Sequence, residues 1–280
     1  MMNRFLLLLG LAGCSQAFLE SLWGGPSWDG LGVTWGINPL GWAFNQMPRT
    51  ESDAIYYGWT KNGDCSDSAF YRGKRYIKDN DPGVMLLFDV NGYIAGIQGG
   101  IPLDIYPSHL NLTYGKVINV DTATNLMVET AYFVPPQEIC SSGRTQDRFD
   151  NEGTGSNLYL QQGPDPVKDS VIIPRLEADI GNTKWRKGRC FRTMGQHYWY
   201  DYSENMSCDD FYPAFLLYNA GELNAFGWAL NLYHESPRYE HPTPDILDSF
   251  FNPVPVCLTQ QPKMSTIHIY MDDAPLLNMC

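Results

Sequence analysis

Leu86-Leu87-Phe88-Asp89-Val90-Asn91-Gly92-Tyr93-Ile94-Ala95 is answered later in the chain by Leu216-Leu217-Tyr218-Asn219-Ala220-Gly221-Glu222-Leu223-Asn224-Ala225. Each run is an apolar strand, a glycine-containing tight turn and a second strand, the pattern of a β-hairpin. Other landmarks recur around both in the same order. Cys65 and Cys190 come first, then Gly73-Lys74-Arg75-Tyr76 and Gly195-Gln196-His197-Tyr198, then Pro82 and Pro213. After the hairpins, Thr130-Ala131-Tyr132-Phe133 resembles Thr266-Ile267-His268-Ile269. An ordered set of this kind predicts a duplicated β module. The chain then divides into a leader (1–17), a Trp/Gly-rich segment (18–49), a first module (50–140), a linker or long loop (141–184) and a second module (185–280).

Long amphipathic helical patterns are scarce, and short apolar runs alternate with turn residues. The expected fold is mainly β with some α+β character, two related hairpin-containing modules forming one disulfide-braced unit. The clearest strands are 84–88, 93–97, 128–134, 196–200, 214–218, 223–232 and 266–270, with a short helix over 244–251. Hydrophobic residues at 44% and aromatic residues at 14% are ample for a core.

Met1 to Arg4 give a short basic start, an apolar run follows, and Ser15-Gln16-Ala17 places small residues before a cut after Ala17. This is a secretory leader, too short in its apolar part to span a bilayer. In a bacterial chain, Leu11-Ala12-Gly13-Cys14 would instead direct lipid anchoring through Cys14. Beyond the leader the cysteines are Cys65, Cys140, Cys190, Cys208, Cys257 and Cys280. An even number in an exported chain predicts three disulfides, with the pairing open. Asn111-Leu112-Thr113 and Asn205-Met206-Ser207 are acceptor sites for N-glycans. No later segment reaches the length of a transmembrane helix.

The formal charge of −12 becomes one unit more negative when Arg4 leaves with the leader. Such a surface repels phosphate backbones, and no basic run with interleaved aromatics is present, so nucleic acid is excluded as a partner class. There is no spaced acidic loop for calcium, no GxSxG elbow, no HExxH, no P-loop and no dinucleotide fingerprint.

Histidine placement is the one chemical signal. Four of five histidines fall in the second module: His197, His234, His241 and His268. Imidazole is the commonest metal ligand, so these four are candidates for Zn²⁺ or Cu²⁺. At matched positions the first module has Arg75 for His197 and Tyr132 for His268. Strand alternation puts His197 and Trp199 on one face and Tyr198 and Tyr200 on the other. Trp199, Tyr198 and Tyr200 are the candidate ligand-contacting aromatics, and Glu235 and Glu240 stand ready as an extra ligand or base. Trp23, Trp28, Trp35 and Trp42 form either a glycan platform or part of the core.

Two functions follow. One is a secreted, disulfide-stabilised glycoprotein that binds a glycan, a small molecule or an extracellular protein. The alternative is a secreted Cu- or Zn-dependent oxidoreductase or hydrolase centred on the second-module histidines.

Overall fold

The runs Val84–Phe88 and Ile94–Ile97 carry apolar or small residues at successive positions, so their strands can be covered on both faces. The structure, a computed structural model, describes residues 28–34, 44–65, 70–104, 118–121, 123–260, 264–272, 275, 278 and 280. Within them the strands are β1 (Gly32–Thr34), β2 (Phe44–Gln46), β3 (Thr60–Gly63), β4 (Lys74–Lys78), β5 (Asp81–Phe88), β6 (Ile94–Pro102), β7 (Ile118–Asp121) and β8 (Leu126–Tyr132). They continue with β9 (Tyr159–Gln161), β10 (Ser170–Ile172), β11 (Trp185–Phe191), β12 (Gly195–Tyr200), β13 (Ala214–Asn219), β14 (Glu222–Leu230) and β15 (Ser265–Tyr270). All pairings are antiparallel, and the strands form two sheets, β11-β12-β13-β14-β15-β1-β2 and β10-β9-β8-β6-β5-β4-β3, with β7 also on β8. The fold is mainly β, and the leader, Trp23, Trp35, Trp42 and Asn111 lie outside the described residues.

The two sheets repeat one another in detail. The register Arg75–Leu87–Gly96–Tyr132 across β4, β5, β6 and β8 matches His197–Leu217–Ala225–Tyr270 across β12, β13, β14 and β15. Each hairpin carries the same bulge, between Leu87 and Phe88 and between Leu217 and Tyr218. Gly73 and Gly195, one residue before β4 and at the start of β12, both take positive φ (119° and 113°), as do the turn residues Gly92 and Gly221. Only glycine adopts such values without strain, which explains its recurrence at these landmarks. Cys65–Cys140 and Cys190–Cys280 close the corresponding ends of the two copies, while Cys208–Cys257 belongs to the second alone.

This register corrects one expectation. The partner of Tyr132 is Tyr270, and His268 corresponds to Thr130. A shift of two residues along a strand preserves which side chains face which way, so the matching apolar pattern did not reveal the slip. The match also extends further back. Arg49, Glu51, Asp53, Trp59 and Lys61 recur as Arg175, Glu177, Asp179, Trp185 and Lys187. Tyr76 donates to Glu51 at 2.6 Å, and Tyr198 donates to Glu177 at 2.7 Å. The backbone N–H of each glutamate reaches the turn glycine, Gly92 or Gly221. Residues 141–184, expected as a linker or loop, contain the helix Gln146–Glu152, β9, β10 and part of this recurring segment.

The sheets face each other across one core. Leu86, Phe88, Ile97, Ala131 and Phe133 from one meet Leu216, Tyr218, Phe226, Trp228 and Ile267 from the other. Trp28 closes it, with its indole N–H on the Leu223 carbonyl (2.9 Å) and Arg175 over its ring, so this tryptophan is core and not a platform. Glu129 shares the inner face of β8 with Met127 and Ala131 and is fully buried, with neither carboxylate oxygen hydrogen-bonded. Burial raises its carboxyl well above the ordinary value, so it is held protonated near Tyr239 and Tyr212. Unfolding releases that proton at any pH above the ordinary glutamate value of 4.5, so this group's contribution falls as pH rises past that point. Glu129→Leu should therefore stabilise the fold at neutral pH by about 1–3 kcal/mol, and the gain should shrink toward pH 4 in denaturant titrations.

Candidate functional site

One hollow lies away from the histidines, where β2, the segment after it and the β4–β5 turn meet. Its formation begins at Thr50, whose hydroxyl accepts from the Asp53 N–H (3.1 Å) and donates to the Asp53 carboxylate (2.7 Å), capping the helix Glu51–Tyr56. Gly58, at φ 81°, ends the helix and turns the chain so that Trp59 is buried while Tyr57 stays exposed. Arg238 lies over the Trp59 ring and is held by Asp81 at 3.1 Å. Arg49 lies over Phe149, whose ring stacks on Tyr93 at 4.7 Å. Asn45, Gln46, Lys78 and Asp79 complete a cleft of about 730 Å³. That volume is within the range of small-molecule sites.

The second hollow is the histidine chamber on the outer face of the β12–β15 sheet. His197 and His268 meet edge to face with ring centroids 6.4 Å apart. His197 and Trp199 do share one face, with Tyr198 turned to the inter-sheet core. The Nδ1 of His197 donates to the Arg189 carbonyl at 3.1 Å, and burial, with His268 close by, pushes its pKa down to about 3. This imidazole is neutral at physiological pH. His268 Nδ1 lies 3.6 Å from Glu240 Oε1, and neither atom has a hydrogen-bond partner. Phe215, Phe250, Phe251 and Met264 enclose a space of about 20 Å³, room for roughly one water.

The other two histidines are elsewhere. His234 Nε2 donates to the Gly100 carbonyl of the opposite sheet (2.9 Å), and its Nδ1 accepts from the Ser236 N–H (3.0 Å). Nε2 ties the two sheets together and Nδ1 braces its own loop, so no lone pair remains for a metal. His241 stacks on Tyr233 at the surface and places Nδ1 3.2 Å from Ser265 Oγ. The four histidines therefore do not converge. Among the described residues no group of three His, Cys, Asp or Glu side chains is arranged to hold a metal ion. In the first copy the position of His197 is filled by Arg75, ion-paired with Asp121 at 2.8 Å in a buried setting.

The expected ligand-contacting aromatics are also packed away. Trp199 stacks on Phe251 at 4.0 Å and donates to the Phe250 carbonyl. Tyr198 is buried on Glu177, and Tyr200 is half-buried between Trp185 and Tyr212. Glu235 lines neither hollow. Asn205 is exposed in a turn. The cleft residues went unnoticed in the sequence because they are scattered over five segments. The one available signal was the Arg-x-Glu-x-Asp recurrence, which brackets Arg49 and Asp53.

Among the described residues no helix is long and apolar enough to cross a membrane. Comparison with known protein families, curated sequences and solved structures finds no match.

Because His197 is neutral in the fold and binds a proton on unfolding below its ordinary value of 6.5, its contribution is complete above that pH. It is lost as pH falls toward about 3. His197→Leu should flatten the decline of Tm across that window relative to wild type. Equal slopes for the two proteins would show that His197 does not carry it.

Proposed function

We propose that this chain is an extracellular, disulfide-stabilised binding protein whose small ligand enters the cleft between β2, the Glu51–Tyr56 helix and the β4–β5 turn. The observation that carries this reading is the combination in that cleft of volume, an exposed aromatic ring and polar side chains facing solvent. The three disulfides suit an oxidising compartment. The exposed Asn205 in its Asn-Met-Ser context suits a glycoprotein. By contrast, the histidine chamber is too small for a substrate beyond a few atoms.

A ligand-observed NMR screen of saccharides, peptides and small metabolites tests the proposal. At least one ligand should bind, and Tyr57→Ala or Arg49→Ala should weaken it about tenfold, the scale of one lost aromatic or charged contact. Val171→Ala on β10, at the far edge of the sheet, should leave it unchanged. A screen with no ligand sensitive to Tyr57 or Arg49 would refute the assignment.

A second reading is a metal-dependent enzyme using His197, His268 and Glu240 with Zn²⁺ or Cu²⁺. It is favoured only by the unpartnered His268 Nδ1 and Glu240 Oε1 beside the chamber. Elemental analysis decides it. The binding-protein reading expects no stoichiometric metal, whereas one equivalent of Zn or Cu lost on His268→Ala would establish the metal site.

A further inference from the structure

The cleft's lining identifies a class of ligand, and this step rests on the cleft being the binding site. We infer that it takes a neutral saccharide, with one sugar ring seated on Tyr57 and its hydroxyls held by the surrounding polar side chains. Tyr57 is 59% exposed, an unusual state for an aromatic ring that lines a hollow. Its neighbours in the chain, Ile55 and Tyr56, are 60% and 82% exposed and extend apolar surface past the cleft's edge. The same lining carries Asn45, Gln46 and Thr50, with Asp53 and Arg49. These groups offer both donors and acceptors, and carboxylate, amide and guanidinium groups can each bridge two adjacent hydroxyls.

A pyranose is the ligand that meets both halves of such a lining. One face of the ring is a patch of C–H bonds that lies against an aromatic ring, and the rim is hydroxyl. A fatty acid would leave the polar wall unsatisfied, with the cost that attends desolvated donors. A flat aromatic ligand would likewise have too few groups for it.

Charge argues for a neutral sugar over a sulfated or acidic one. Arg49 and Lys78 are balanced in the lining by Asp53 and Asp79, and Arg238 is engaged by Asp81. The chain as a whole carries −12, which repels a polyanion approaching from solution. The same carboxylates suit hydroxyl donors. Asp53 already accepts from Thr50 through Oδ2, and a carboxylate has acceptor positions to spare.

The test is isothermal titration of the folded, oxidised protein with neutral oligosaccharides of gluco-, manno-, galacto- and N-acetylglucosamine type, beside heparin-derived fragments and uronic-acid oligomers. The inference expects binding of at least one neutral series. Tyr57→Phe should keep that affinity within about twofold, and Tyr57→Ala should lower it about tenfold or more, because stacking needs the ring and not the hydroxyl. Binding should persist at high salt, since no net charge drives it. Exclusive binding of the acidic fragments, with loss at high salt, would overturn the neutral assignment. Failure of every saccharide while a different ligand binds and responds to Tyr57→Ala would overturn the inference and leave the cleft as the site. If neither saccharides nor any other compound responds to Tyr57→Ala, the cleft itself is not the site.

Discussion

Everything in this molecule depends on how four-stranded meanders that are apolar on both faces are covered. A strand such as β5, buried from Gly83 to Phe88, cannot leave one side to water. The inner faces solve this by covering each other, which fixes one sheet against the other and places Glu51 and Glu177 at matching corners. The outer faces cannot use the same solution, and here the copies diverge. The first closes its face with the Phe70–Tyr71 segment and the Arg75–Asp121 pair. The second uses two excursions, Tyr202–Phe211 between β12 and β13 and Leu247–Leu258 between β14 and β15, which bring Phe211, Phe250 and Phe251 onto the face and are fastened to each other by Cys208–Cys257. The histidine chamber is a by-product of that cover, since an imidazole stands where the other copy has a guanidinium and its carboxylate.

Buried polar groups set the detailed geometry within this frame. Arg144, almost wholly inaccessible, reaches the carbonyls of Gly153 and Ile94, while its own N–H donates to Asp89. It ties the helix Gln146–Glu152 to the first hairpin and thereby positions Phe149 beside Arg49. His234 does comparable work between the sheets through Gly100. Glu129 differs from these two, a carboxyl in the core with neither oxygen hydrogen-bonded.

Much of the fold was legible in the chain. The seven strands expected from apolar runs correspond to β5, β6, β8, β12, β13, β14 and β15, because buried strands bounded by glycine turns leave a strong pattern. Pro244–Ser249 forms the expected short helix as a 3₁₀ turn. Edge strands were missed: β11 reads Trp-Arg-Lys-Gly-Arg-Cys-Phe, and its exposed, charged positions resemble a loop until a neighbour is known. Of the candidate site, the pairing of His197 with His268 was readable, since strand alternation fixes a face. The positions of His234 and His241 were not, because loop histidines find partners that no local pattern specifies. The cleft was invisible for a related reason. Its walls come from Asn45, Tyr57, Lys78, Phe149 and Arg238, and surface polar residues so far apart in sequence carry no shared period.

The matched bridges Cys65–Cys140 and Cys190–Cys280 have a consequence for how the molecule tolerates a cut in its chain. Each makes its copy a covalent ring. A protease that nicks the exposed turn at Ser203–Ser207 cuts inside the second ring, so the severed pieces remain attached until a reductant arrives. Cleavage between the rings, in the stretch from Ser141 to Arg189, is the kind that can release two bodies. There only noncovalent contacts would hold the halves together, the face-to-face core with the β1–β15 pairing, the His234–Gly100 hydrogen bond and the Arg238–Asp81 pair, and damage to this molecule would be felt first as a loosened interface and only later as lost mass.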